Sequence, residues 1–387
     1  MTMWNQFKNA VRTKKNHFNV MEKEKDINEL DFVGKLKHPC LYQRMVQSQK
    51  ESLFRPIVFE IDLTTSCNYR CDNCISHSVI GNKSIPIETL LNLIDKSSLY
   101  DVRAILFSGG GEPLTYPKFD IAFTKANEKN ITTALVTNGY FINKYLDILS
   151  EQSSWTRISV DAAKNDTYKI LKNTGDDSFK KVISNISNLN KNKKGKVGFS
   201  FLMHSPPFSR VSNIDEIYQS ARLAKEIGCD YFEIKPILNK FHFLVELPYD
   251  TIQKIKDEMD KVNSLITESF RVIYPESFHL VLKGKLSPSE KLYNRCLIIT
   301  YRLLITPHGI YPCNYFRGDP KHKLFESAEE FCNRWEGILK ENIVSSVTPQ
   351  KECNFFCNRN LMNIYLLNNM DNIISLSNEE TKLDYFI

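Results

Sequence analysis

The sequence predicts an α/β fold, a parallel sheet fed by six successive β/α units, with a smaller cysteine-rich region after it. Three observations carry this. Between about residues 56 and 236 a short apolar run recurs six times, each followed by a segment of helical period. From about residue 290 onward that rhythm is lost. The cysteines gather in two places: Cys67, Cys71 and Cys74 follow the first run, and Cys296, Cys313, Cys353 and Cys357 lie in the last region.

The runs are "IVFEIDL" (57–63), "RAILFS" (103–108), "TTALVT" (132–137), "RISVDA" (157–162), "VGFSFLM" (197–203) and "DYFEIK" (230–235). Their β-branched and aromatic content suits strands. Amphipathic segments separate them, such as "PIETLLNLIDKSSL" (86–99) and "NIDEIYQSARLAKEIG" (213–228), the second closed by a glycine as helices commonly are. Strands joined by helix-length crossovers pair in parallel. In such sheets and barrels the reacting groups gather at the C-terminal ends of the strands, so chemistry is expected in the loops that follow each run.

Residues 1–54 are polar and weakly periodic and read as a helical N-terminal extension without assigned chemistry. A helical stretch at 248–266 and an extended piece, "FRVIYP" (270–275), lead to a boundary near 280. The expected domains are therefore the extension, the β/α region over 55–280 and a cysteine-rich module over 281–387.

A chain of 387 residues with 42% hydrophobic and 25% charged residues can bury a large core, and a net charge of +6 is mild for that size. This balance does not point to a nucleic-acid partner, and the basic "NKNKKGKVG" run (190–198) reads as a solvated turn before the fifth strand. The basic start, "MTMWNQFKNAVRTKKNHF", lacks the apolar core of a signal peptide, and no stretch has the length to cross a bilayer. A cytoplasmic protein with no membrane partner is expected. In that reducing setting, clustered cysteines read as ligands or buried thiols rather than disulfides.

"TTSCNYRCDNCISH" (64–77) spaces its thiols C-x3-C-x2-C. Structural zinc favours C-x2-C knuckles in pairs, and a triad leaves a tetrahedral ion one ligand short. Three thiolates on a cubane iron–sulfur cluster would leave one iron open to a further ligand. In this position the motif resembles the signature of the radical S-adenosylmethionine (radical SAM) enzymes. The loop after the second strand, "SGGGEPL" (108–114), is similar to that family's GGE motif at Gly110, Gly111 and Glu112. "TNG" (Thr137, Asn138, Gly139) follows the third strand, and Ser159 and Asp161 fall on the fourth, where the family contacts the cofactor ribose. The resemblance covers roughly residues 56–240, with the motifs in order.

The resemblance implies a partial (β/α)6 TIM-like radical SAM barrel with a 4Fe-4S cluster on Cys67, Cys71 and Cys74. It implies S-adenosylmethionine (SAM) chelated to the open iron, its amino group met by the GGE loop, and Thr137, Asn138, Ser159 and Asp161 among the cofactor contacts. One electron from a donor such as flavodoxin or ferredoxin would cleave SAM to a 5′-deoxyadenosyl radical. The residue types agree: glycines at 109–111 let backbone approach a cofactor closely, Glu112 supplies an anion for an ammonium, and Pro113 fixes the turn. Family members often place an aromatic residue before the third cysteine, where this chain has Asn73; Tyr69 is the aromatic residue within the loop.

Downstream, "YRLLITP" and "GIYPC" form a hairpin through His308 and Gly309, with Cys296 and Cys313 at its ends and Cys353 and Cys357 in "ECNFFC". The pattern resembles the SPASM and shorter twitch modules of some radical SAM enzymes, with the glycine-to-cysteine spacer one residue short. Four placed cysteines match the shorter form, which implies one fully ligated auxiliary 4Fe-4S cluster that relays electrons; four thiolates on zinc are the competing possibility. Cys332 and Cys229 read as buried core thiols, the latter because it begins its strand, away from the reacting end, and Cys40 carries no signal. Glu233 and Lys235, which share a strand face, and His204 at the end of the fifth strand are candidate substrate contacts.

These readings imply a radical SAM enzyme of oxidoreductase or epimerase type acting on a small or sugar-like substrate, or else a peptide-maturing enzyme of the same class. A non-catalytic zinc-binding module is the reading from another class, and it predicts a colourless protein.

Overall fold

The computed structural model describes residues 32–36, 39–51, 54–237, 239, 244–284, 291, 293–338, 343–369 and 385–386. Its centre is one nine-stranded sheet in the order β7-β6-β5-β4-β3-β2-β1-β8-β9. The strands are β1 Val58–Asp62, β2 Ala104–Ser108, β3 Thr132–Thr137, β4 Ser153–Ser159, β5 Lys196–Leu202, β6 Tyr231–Lys235, β7 Arg271–Ile273, β8 Arg302–Thr306 and β9 Gly309–Tyr311. Neighbours pair in parallel except β9, which returns antiparallel on β8. The six expected strands all form, in sequence order, and the sheet stays open at both edges.

Alternation along the strands separates two cores. On β1, Phe59 and Ile61 join the large cluster under the helices, with Leu90, Leu93, Phe119 and Phe123. Val58 joins a second cluster inside the curve of the sheet. Each fully buried Phe or Ile contributes roughly 1.5–3 kcal/mol, so the outer layer is the main fastening of helix to sheet. Phe107, fully buried against Phe119 and Phe123, is a position where truncation to Ala would cost about 3–5 kcal/mol.

The inner cluster is closed by segments from both ends of the chain. The helices Phe32–Lys35 and Pro39–Lys50 contribute Phe32, Leu41, Tyr42, Met45 and Val46, which pack with Met362, Leu366 and Phe386 against Val58, Ala104 and Ala134. Of the expected extension, Phe32–Lys35 and Pro39–Lys50 are helical, and residues 1–31 lie outside the described ones. The extension is also an architectural part, because its apolar face fills the lumen below the polar residues described next.

Two segments do more than the sequence reading assigns them. "FRVIYP" supplies β7, a seventh parallel strand beside β6. The hairpin β8–β9 lies beyond the expected boundary near 280, yet β8 pairs with β1 from Val58↔Arg302 to Ile61↔Ile305, so the sheet runs on across that boundary. Among the described residues no helix is long and apolar enough to cross a membrane.

Candidate active site

The loop after β1 and the loop after β2 are held together through their backbones. Gly111 N donates to Thr64 O at 3.0 Å and Glu112 N to Ser66 O at 2.8 Å. The approach demands glycine: a Cβ on Gly111 would stand 2.1 Å from Ser66 O, and one on Gly109 would stand 1.9 Å from Gly111 O. Cys67 follows this contact directly. Farther along the loop, Asp72 N donates to Leu171 O, and Arg210 donates to both Asp72 carboxylate oxygens at 2.7 and 2.8 Å. Tyr69 is buried edge-on against Tyr140 and Tyr168, so it packs within the loop's support.

Cys67, Cys71 and Cys74 are free thiols, each partly exposed. Burial pushes Cys67 up to about 12 and Cys71 up to about 11, and the thiols' proximity adds to both. Such thiols are neutral without metal and lose their protons on ligation. Three free thiols gathered on one loop fit an iron–sulfur cluster.

Glu112 ties this loop pair to the loop after β3. Thr137 Oγ1 donates to its Oε1 at 2.6 Å, Leu114 N to Oε1 at 3.1 Å and Asn138 N to Oε2 at 2.7 Å. Burial raises its carboxyl to about 7 although all three donors favour the ionised form. Asn138 Nδ2 also donates to Asn68 Oδ1 at 2.9 Å, inside the cysteine loop. Gly139 turns the chain at φ +84°, where a Cβ would meet Ile158 Cγ2 at 2.8 Å. The three motif loops are therefore one interlocked unit.

Ser159 ends β4 half-buried. Asp161 has a left-handed backbone, φ 66°, which ends the strand alternation that would set it beside Ser159 on one face. Its carboxylate is buried in an ion pair with Lys172 and accepts Leu202 N at 2.7 Å. Burial alone would raise that carboxyl; Lys172 and the Leu202 amide outweigh it and hold it below the ordinary carboxylate range.

Beneath these loops the lumen holds a cavity of about 280 Å³, lined in part by Gly109 and by Ile75, the neighbour of Cys74. Glu233 and Lys235 of β6 line it, as the shared strand face implies. His204 does not: it is buried with Nδ1 2.6 Å from Ser209 Oγ, and burial lowers it to about 4. The same wall carries further charges that the sequence alone does not place there. Glu60 meets Arg302 at 2.5 Å and Arg317 at 3.4 Å, with Ser108 Oγ donating at 2.8 Å, while Arg317 also pairs with Asp62 at 2.6 Å. Burial would raise Glu60, but the two guanidiniums and the hydroxyl prevail and hold it at about 2. The available signal was Glu60 and Asp62 at period two inside an apolar strand.

Cys296, Cys313, Cys353 and Cys357 line a second cavity, of about 50 Å³. Burial pushes Cys296 and Cys353 up to about 12 and raises Cys313 strongly, with neighbouring thiols adding. Tyr315 and Phe355 stack beside them, ring centres 4.1 Å apart. Among the described residues no group of three or more His, Cys, Asp or Glu side chains, here or at the first cysteine loop, is arranged to hold a single metal ion. The four thiols surround a space, which fits a multi-iron cluster. Arg302, Asn314, Tyr315 and Arg359 line both cavities and form the partition between them. Cys229 and Cys332 are buried away from both sites, in the outer core. The side chain of Cys40 lies outside the described residues.

Residues 61–214 match the family model of the Radical SAM superfamily. An S-adenosylmethionine-dependent nucleotide dehydratase of Flammeovirga pacifica is 29% identical over 114 residues, 27% of this chain and 38% of that protein. A GTP 3′,8-cyclase of Staphylococcus aureus is 29% identical over 140 residues, 33% of this chain and 41% of that protein. The match thus spans about two fifths of these curated relatives. In fold, the chain is similar to Streptococcus suis SuiB bound to the precursor peptide SuiA, with TM-score 0.57 and 15% identity over 91% of this chain and 80% of that one. It is also similar to anSMEcpe with bound AdoMet and the Cp18Cys peptide, with TM-score 0.55 and 17% identity over 78% and 84%.

Proposed function

Because residues 61–214 match the model of the Radical SAM superfamily, we propose that this chain is a peptide-modifying radical SAM enzyme whose substrate enters the lumen cavity. The observation that carries the reading is the interlocked unit of the cysteine, GGE and TNG loops at the mouth of that cavity. Cys67, Cys71 and Cys74 would hold the 4Fe-4S cluster, with SAM against Gly110, Gly111, Glu112, Thr137, Asn138 and Ser159. When bound, cluster and SAM supply one-electron cleavage and a 5′-deoxyadenosyl radical that takes hydrogen from the substrate. Cys296, Cys313, Cys353 and Cys357 would hold one auxiliary 4Fe-4S cluster behind the partition.

The chain's own residues do the rest. Gly109 and Gly111 bring the backbone of the second loop onto the first, and Glu112 keeps the third loop in register with both. The Glu60–Arg302–Arg317–Asp62 set stiffens the lumen wall, so that a bound group is presented in one orientation. Asp161 acts through Lys172, beside Cys71, as a positioning pair.

A peptide substrate is supported by the fold likeness, which spans nearly the whole chain and reaches proteins named with bound peptides. A small or sugar-like substrate is the second reading, favoured by the modest volume of the cavity, about 280 Å³. The test is anaerobic reconstitution of the full chain, with iron and sulfide counted and 5′-deoxyadenosine measured after reduction with SAM present. About eight irons per chain and steady 5′-deoxyadenosine formation are expected. A colourless protein that binds zinc and leaves SAM intact would overturn the proposal.

A further inference from the structure

We propose that the lumen cavity takes an anionic group of the substrate, a carboxylate or a phosphate, seated against Arg157, Lys235 and Arg359. The inference rests on the reading above in taking this cavity as the substrate site. Among the described residues the cavity is lined by six cationic side chains and two carboxylates. On the β1–β8 side the charges match: Glu60 and Asp62 are shared by Arg302 and Arg317.

On the β4–β6 side they do not. Among the described residues Glu233 is the one carboxylate in ion-pair contact with Arg157 and Lys235, each at 3.2 Å. The Nε atoms of Arg157 and Arg359 are buried and have no hydrogen-bond partner among the described residues. Arg359 lies over the ring of Phe32, 4.7 Å from its centre, and forms no ion pair with a carboxylate among the described residues. Buried cations without a matching anion are costly. Guanidinium forks pair best with carboxylate and phosphate oxygens, in two parallel hydrogen bonds. A substrate anion would supply a counter-charge to this wall, and it would fix the carbon presented to the cofactor above. Lys235 is held below its ordinary value by burial first and by the Arg157 charge second, with Glu233 acting the other way.

The test uses the full chain with clusters reconstituted and SAM saturating, so that SAM's own carboxylate is already placed. Succinate, inorganic phosphate and the uncharged analogue succinamide are titrated in turn by calorimetry, with the fluorescence of Trp155, which lines the cavity, as second readout. One of the anions should bind and succinamide should not; whichever anion binds tells carboxylate from phosphate. Lys235→Gln should weaken that binding about tenfold or more. Glu233→Gln should tighten it severalfold, because Arg157 and Lys235 then lack their shared carboxylate, and misfolding cannot imitate such a gain. Failure of both anions to saturate, equal binding of succinamide, or unchanged or weaker affinity in Glu233→Gln would overturn the inference. SAM cleavage by the wild-type chain in the same preparation separates the outcomes: cleavage without anion binding sinks only this inference, and loss of clusters and cleavage together sinks the functional reading.

Discussion

Gly111 and Ser66 meet backbone to backbone, so closely that a Cβ on Gly111 would stand 2.1 Å from the Ser66 carbonyl oxygen. The same oxygen accepts Glu112 N at 2.8 Å. The contact fixes where the loop bearing Cys67 lies relative to Glu112. Gly111→Ala must therefore push the two loops apart, since neither partner is a flexible side chain. We expect this variant to bind SAM at least tenfold more weakly, a cost of about 1.4 kcal/mol or more. Wild-type affinity by equilibrium dialysis would show that the loops do not act as one unit.

Glu112 makes that unit sensitive to pH. Its carboxyl is raised from 4.5 to about 7, chiefly by burial. A raised carboxyl binds its proton more tightly in the native chain than in the unfolded one, so its contribution is complete below about 4.5 and is lost as pH climbs through about 7. In metal-free protein, denaturant unfolding should show a loss on the order of 2–3 kcal/mol between pH 5 and 8 from this group. Glu112→Gln should lose less over the same window. Parallel losses in the two chains would place the titration elsewhere.

Asp161 and Lys172 form an ion pair with side chains 8% and 6% exposed. Removing one member of a buried pair leaves the other charge stranded, at a cost of about 3–5 kcal/mol. Asp161→Ala should be destabilised on that scale, and the loss of the Leu202 amide contact adds to it. Chemical denaturation of the metal-free variant reads this directly, and an unchanged midpoint would mean that the pair carries no net stability.

The two cysteine sets should separate by iron content. Cys313→Ala removes one of the four thiols around the second cavity, and iron should fall from about eight to about four per chain. Its substrate turnover should fall further than its SAM cleavage does. In Cys71→Ala, SAM cleavage itself should stop. Iron counting with 5′-deoxyadenosine quantitation checks both, and full iron retention in Cys313→Ala would remove that thiol from the ligand set.

The motif loops are legible in the sequence because their chemistry is local. C-x3-C-x2-C, GGE and TNG each need only a few consecutive residues, and the loops between strands order them in space. "FRVIYP" is less legible: β7 is three residues long and gains its strand identity only by pairing with β6. The lumen charges are less legible still. Arg302 meets Glu60 across 242 positions of sequence, and nothing near either residue names its partner.

Periodicity and thiol spacing alone determine six strands in order, the loop that carries Cys67, Cys71 and Cys74, and the second set of thiols. Both are short-range signals, written within one turn of helix, one pleat of strand or one loop. Tertiary structure decided that β8 closes on β1, that Arg302 and Arg317 meet Glu60 and Asp62 in the lumen, and that Asp161 turns away to Lys172. Those outcomes depend on which strands become neighbours and on what a buried charge finds within reach. Burial makes an unmatched charge expensive, so the folded chain selects partners that sequence distance conceals.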